Sequence, residues 1–311
     1  MGSEVVVILN AHAGADEKTT ELSRAIRDKL NSGGLDARVA LVKSQDIVAE
    51  ATRAVADKPR ILVAGGGDGT VNAIASLVVD SEIILGVLPL GTLNHFAKDL
   101  HIPLAIDDAI ANIIAGHDTR VDVGEVNGRI FLNNSSEGLY PSIVRRRDRQ
   151  MTRLGRGKWP AFLWAAIAML RRYPFLDVRL SVDDRTLARR TPFVFVGNNE
   201  YLVEGFRIGE RARLDAGELS LYVANRTTRF GLLRLAVHAL LGRLKQVTDF
   251  DVVRAKEVWI ETSHKQIGVA TDGEVSLMKT PLHYRVRPRA LRVLVPRPVD
   301  AVAGPSLPEG R

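Results

Sequence analysis

The chain has 311 residues, 46% hydrophobic and 25% charged, an ordinary balance for a globular protein and enough length for two domains or one large one. With 43 Lys+Arg against 36 Asp+Glu it carries a net charge of +7, which suits anionic partners such as nucleotides or acidic membrane surfaces without choosing between them. Cysteine is absent, which excludes disulfides, thiolate metal sites and a thiol nucleophile; with no signal-peptide pattern and no apolar window longer than 159–170, a cytoplasmic protein is expected.

Residues 5–9 are a β-branched run, the first buried strand, ending in the small and polar turn Asn10-Ala11-His12-Ala13-Gly14. A helix over 17–31 follows, with Leu22, Ala25, Ile26 and Leu30 on one face, and Gly33-Gly34 stops it. A strand over 37–42 and a helix over 47–56 lead to Ile61-Leu62-Val63-Ala64-Gly65-Gly66-Gly67-Asp68-Gly69-Thr70-Val71-Asn72. Here an apolar strand meets four glycines, an aspartate and a threonine before a helix expected from Val71. Glycines let a ligand approach the main chain, and amides at a loop and a helix N-terminus attract phosphate. The pattern is neither G-x-x-x-x-G-K-[ST] nor a clear G-x-G-x-x-G, and a tight turn without a ligand is the plainer alternative.

A further strand, 83–88, opens into Pro89-Leu90-Gly91-Thr92-Leu93-Asn94-His95-Phe96-Ala97, a second turn with glycine, hydroxyl and amide at a helix start. Two such loops on neighbouring strands converge on one phosphate-rich ligand. The βαβα alternation predicts an α/β unit with a doubly wound parallel sheet and its site at the carboxyl ends of the strands.

From Val121 the texture changes to short alternating runs at 129–133, 178–182, 193–197, 219–223, 258–262, 267–270 and 284–286, a mainly antiparallel β domain. Between them, seven basic residues from Arg145 to Lys158 precede the Trp-containing apolar stretch 159–170. That suits docking on an anionic membrane surface, and equally a core helix with a solvated basic approach. No nucleic-acid-binding module accompanies the charge. A Leu-rich helix over 230–244 reads as core or a homodimer contact, and the Pro- and Gly-rich tail 297–311 as disordered.

Taken together, Gly66-Gly67-Asp68-Gly69-Thr70 with Asn72, and Leu88-Pro89-Leu90-Gly91-Thr92-Leu93-Asn94, resemble the diacylglycerol kinase catalytic-domain family. That family holds bacterial lipid kinases and the sphingosine and ceramide kinases, and is distantly related to NAD kinases and phosphofructokinases. Asn10 to Gly14 stands where the family has Asn-Pro-x-x-Gly; Val121 to Gly124, Phe131 to Gly138 and Asp272-Gly273-Glu274 match later segments. The resemblance implies a nucleotide-binding α/β domain over 1–122, a lipid-substrate β-sandwich over 123–288, and a strand over 289–296 returning to the first domain.

It also implies an ATP- and Mg²⁺-dependent lipid kinase acting on a hydroxyl of a diacylglycerol-like or sphingoid lipid, peripherally associated with membrane. Asn10, Gly66, Gly67, Asp68, Gly69, Thr70, Asn72, Gly91, Thr92 and Asn94 would bind ATP, and Asp68 and Asp122 would hold magnesium. Asp272 would be the general base, with Glu274 orienting it or helping to hold the metal. By spacing alone, Asp272-Gly273 is a standard hairpin turn. The chain departs from the family at His95, where an aspartate is usual, at Ala11 for proline, and at Ala216, where bacterial relatives have an aspartate on a structural magnesium. An NAD kinase-like enzyme and a non-catalytic nucleotide- or lipid-binding regulator are the rival readings.

Overall fold

The computed structural model describes residues 4–11, 17–138, 176–182, 185–191, 193–204, 207–211, 213–224 and 250–297. Residues 12–14 of the first loop, the basic stretch with the helix expected at 159–170, the helix expected at 230–244 and the tail from 298 lie outside them.

The first half alternates β1 (Val5–Asn10), α1 (Glu17–Ser32), β2 (Ala37–Val42), α2 (Ile47–Ala56), β3 (Ile61–Gly66), α3 (Asp68–Val78), β4 (Ile84–Pro89), α4 (His95–Asp99) and α5 (Ile106–Ala115). The strands pair in parallel in the order β2-β1-β3-β4. Side chains alternate across the sheet: Val6, Ile8, Leu62, Ala64, Leu85 and Val87 pack under α2 and α3, while Val5, Val7, Leu9, Ile61 and Val63 pack under α1 and α5. Burial on both faces is why these strands read as unbroken apolar runs. Each fully buried Val, Leu or Ile contributes roughly 1.5–3 kcal/mol. The sequence reading did not include α5, although Ile106, Ala109, Ile110 and Ile113 keep helical spacing and Gly116, at φ 66°, ends it.

The chain continues through β5 (Asp118–Val126), β6 (Arg129–Phe131), β7 (Asn134–Gly138), β8 (Leu176–Val182), β9 (Arg185–Thr191), β10 (Phe193–Asn198), β11 (Tyr201–Glu204), β12 (Arg207–Arg211), β13 (Leu219–Ala224), β14 (Phe250–Ala255), β15 (Glu257–Thr262), β16 (Gln266–Thr271), β17 (Glu274–Lys279) and β18 (Leu282–Leu294). An antiparallel sheet in the order β14-β13-β10-β7-β16-β17 packs on the β18-β15-β8-β9 part of the first sheet. Val178, Leu180, Val194, Val196, Leu221 and Tyr284 are among the residues filling the space between them. This is a β-sandwich following an α/β domain with a parallel sheet.

Where a short run at 284–286 and a separate strand over 289–296 were expected, one strand of 13 residues, β18, runs through. It pairs antiparallel with β15 and β5, and parallel with β4 at Val293↔Leu85. Its register against β5 shifts between Arg287 and Leu291, beside Arg289 at φ 52°. That irregularity lets one strand serve both layers.

Candidate active site

Helix α3 begins at Asp68, three residues before the expected start, with Gly67 as its N-cap. Asp68, Gly69 and Thr70 therefore form its first turn, whose N–H groups have no intrahelical acceptor and carry the positive end of the helix dipole. The site lies at the carboxyl ends of β1, β3 and β4, where helices pass to opposite faces of the sheet on either side of β1.

Gly67 and Gly91 bring the two loops together: a Cβ on Gly91 would stand 2.4 Å from Gly67 Cα and 2.7 Å from Asn94 Oδ1. Asn94, at φ 50°, closes its own loop by accepting from Gly91 N at 3.0 Å and donating to Gly91 O at 2.8 Å. Thr92 is left exposed at the tip. Asp68 Oδ1 accepts from Phe96 N at 3.3 Å, tying α3 to the start of α4. Asn10 donates to Thr70 Oγ1 at 3.0 Å and accepts from Ser44 Oγ at 2.8 Å, so it braces the glycine loop from β1. Asn72 lies on the buried side of α3, and its Oδ1 has no hydrogen-bond partner.

Asp272 stands in the turn between β16 and β17, and Glu274 opens β17. A plain hairpin aspartate would bond only within its own turn, but Asp272 reaches across to the corner between β6 and β7. Its carboxylate accepts from Leu132 N at 2.7 Å, Asn133 N at 2.9 Å and Asn134 N at 3.0 Å. Burial pushes this carboxyl above its ordinary value, against the three amides and the Arg211 guanidinium, which favour the anion. Glu274 Oε1 lies 3.8 Å from where a Cβ on Gly69 would stand, and Glu274 Oε2 accepts from Arg129 at 2.6 Å. The late Asp-Gly-Glu turn is thus brought against the glycine loop across two hundred residues of chain.

Asp122 is buried, with Oδ1 accepting from Arg289 N at 2.8 Å and Oδ2 from Gly217 N at 2.6 Å. It fastens the β18 irregularity to the loop before β13. No group of three or more His, Asp or Glu among the described residues is placed to hold a metal. The three departures also have local accounts. Ala11 donates its amide to Val42 O at 2.8 Å, a bond that proline lacks. Ala216 N donates to Asn199 Oδ1 at 2.9 Å, while Asp215 pairs with Arg213 at 2.9 Å. His95 is exposed at the start of α4.

Two residues that sequence reasoning missed complete the centre. Arg211, on β12, has no exposed side-chain surface and meets Asp99 of α4 at 2.7 Å. Neither lies in a recognisable motif, so no local signal marked them.

Residues 4–126 match the diacylglycerol kinase catalytic domain family, and residues 138–295 match the YegS C-terminal NAD kinase beta sandwich-like domain. Proteins named diacylglycerol kinase from Staphylococcus aureus strains MRSA252 and bovine RF122 / ET3-1 are 26% identical over 295 residues, covering 94% of this chain and 92% of theirs. A crystal structure described as a candidate diacylglycerol kinase from Bacillus anthracis str. Sterne superposes with a TM-score of 0.72 at 25% identity, covering 94% of this chain and 97% of that one. A second structure from that organism, 22% identical with a TM-score of 0.67, supports the fold.

Proposed function

The chain belongs to the diacylglycerol kinase catalytic-domain family, and from that premise we propose an ATP- and Mg²⁺-dependent kinase acting on a hydroxyl of a diacylglycerol-like or sphingoid lipid. The observation that carries this reading is the approach of Glu274, next but one to Asp272, to Gly69 on the glycine loop. A phosphate on the loop and a hydroxyl at the hairpin would then be neighbours.

The residues present fit the nucleotide. Gly67 and Gly91 let the two loops close on each other, the first-turn amides of α3 have no acceptor within the helix, and Gly69 and Thr92 are exposed. Asp68, which uses one oxygen on Phe96 N, would hold hydrated magnesium, and Glu274 would share it. Asp122 belongs to the proposed metal set only through lone pairs that its two amide bonds leave over. When bound, the cation would neutralise charge on the phosphates.

In this reading Asp272 takes the proton of the acceptor hydroxyl as that oxygen attacks the γ-phosphorus and the bond to the bridging oxygen breaks. A raised pKa suits the role, because a base works best with a pKa near the working pH. The amides of residues 132–134 hold its carboxylate in one orientation. Peripheral contact with an anionic membrane belongs to the same proposal and draws support from the net charge of +7. Among the described residues no helix is long and apolar enough to cross a membrane.

The test is phosphate transfer from labelled ATP to a panel of short-chain diacylglycerol, sphingosine and NAD, with Asp272→Asn as comparison. Transfer to a lipid, reduced about 10²–10⁴-fold in the variant with nucleotide affinity held, is expected. Transfer to NAD alone, or to nothing, would overturn the lipid assignment.

A further inference from the structure

The Arg211 guanidinium makes four hydrogen bonds and an ion pair. Nε donates to Asp99 Oδ2 at 2.8 Å, and Nη2 meets the same oxygen at 2.7 Å and Asn133 Oδ1 at 2.8 Å. Nη1 donates to Leu132 O at 2.8 Å and Asn198 O at 3.0 Å. The cation also lies 5.4 Å from the centre of the Tyr201 ring. A rigid fork bonded in this way out of water fixes the positions of whatever it touches.

What it touches are two parts of the proposed site. Leu132 and Asn133 are the residues whose amides grip Asp272. Asp99 ends α4, the five-residue helix whose second amide, Phe96 N, donates to Asp68 on the glycine loop. An unbroken path of hydrogen bonds therefore runs Asp68, α4, Asp99, Arg211, the 132–134 corner, Asp272. Asn198 reinforces the corner, donating from Nδ2 to both Leu132 O and Asp122 O at 2.9 Å. Asn134 Nδ2 also donates to the Tyr201 hydroxyl at 3.4 Å, and the Asp99–Arg211 pair is the charged link from this corner to α4 among the described residues.

We propose that Arg211, held by Asp99, is a positioning residue that sets the acceptor-side carboxylate of Asp272 in register with the phosphate loops. The inference rests on Asp272 being the base. A buried ion pair is weak grounds for extra stability, because desolvation offsets much of its attraction, but loss of one partner is costly. Its use here is geometric: a displacement of about 1 Å at a reacting group can cost on the order of 10²-fold in rate. The guanidinium also favours the anionic form of Asp272 from where it stands.

The experiment uses the whole chain, dioctanoylglycerol in mixed micelles and ATP. Arg211→Lys keeps the charge and breaks the fork; the Asp99→Asn/Arg211→Gln pair removes both charges together. Expected for Arg211→Lys is a fall in kcat of about 10²-fold with nucleotide affinity within about twofold. The double variant should show the same split, a lowered kcat with nucleotide affinity held, since the fork is lost there as well. In an Asp272→Asn background, Arg211→Lys should lower kcat little further, because both changes act through one group.

Losses that multiply in full with Asp272→Asn would overturn the positioning role. So would a fall in kcat matched by an equal weakening of nucleotide binding. Should the buried pair be needed for folding, Asn133→Ala removes one link alone and is expected to lower kcat less, again without weakening nucleotide binding; unchanged kcat there would count against the proposal. A wild-type rate in Asp272→Asn itself would overturn the base assignment beneath it instead.

Discussion

At the scale of the residue, Glu137 of β7 carries a burial cost that only the neighbouring Tyr284 hydroxyl offsets in part. It is fully buried in register with Val194 and Val269, and neither carboxyl oxygen has a hydrogen-bond partner. The nearby Tyr284 hydroxyl makes its bond to Ser135, at 2.9 Å. Burial pushes the Glu137 carboxyl from 4.5 up to about 8. A folded pKa above the unfolded one means that proton uptake favours the fold. The stabilisation is complete below pH 4.5 and is lost as pH rises to about 8. At roughly 1.36 kcal/mol per pKa unit the swing amounts to several kcal/mol. Glu137→Gln, which cannot ionise, is expected to raise the melting temperature at pH 8 and leave it nearly unchanged at pH 4. A gain equal at both values would show that ionisation is not the cost. The raised pKa of Asp272 makes a second prediction: kcat/KM should fall as pH drops through a value above the ordinary carboxylate range. Asp272→Asn should lose that limb along with the rate. It should also lose about 1–3 kcal/mol of stability, because an amide nitrogen cannot accept from Leu132 N. An acid limb that survives the substitution would belong to another group.

Among the elements, the two glycine-bearing loops act as one because they touch through Gly67 and Gly91. A Cβ on Gly91 would meet Gly67 Cα at 2.4 Å, whereas a Cβ on Gly67 would meet Gly91 Cα at 3.3 Å. The first distance cannot be accommodated without parting the loops; the second needs a shift of a few tenths of an ångström. Gly91→Ala is therefore predicted to weaken ATP binding at least about tenfold, roughly 1.4 kcal/mol. Gly67→Ala should weaken it less, with the far-ultraviolet circular dichroism of both unchanged. Calorimetric titration checks the order, and a larger effect at Gly67 would mean that the loops do not meet as described.

For the molecule as a whole, β18 decides how the layers unfold. Leu282 and Tyr284 lie in the sandwich core, Leu291 and Val293 in the core under α2 and α3, and Leu294 in the core under α1 and α5. A strand shared by all three couples their stabilities, so calorimetry is expected to show one unfolding transition. Leu291→Ala should lower that single transition, at a cost of about 2–5 kcal/mol. Two transitions, with only one moved by the substitution, would mean that β18 does not bind the layers into a unit. The alternative of independent layers would also predict that the Glu125 pairs with Arg285 and Arg287, which tie β5 to β18, matter to one half only.

The sequence by itself determined those features whose causes are local. Apolar runs such as Val5 to Leu9 announce strands buried on both faces, and Gly66 to Thr70 announces a strand-to-helix turn open to phosphate, because hydrophobic periodicity and glycine's conformational freedom act over a few residues. Only the tertiary structure decided that α3 starts at Asp68, that β18 is one strand, and that Asp272 caps a corner 138 to 140 residues away in the chain. The same holds for Arg211 and Asp99, which stand 112 residues apart and look like ordinary surface charges in sequence. Which charges are buried together depends on how sheets and helices pack. That packing satisfies each desolvated donor with an acceptor from elsewhere in the chain, a choice that no local pattern encodes.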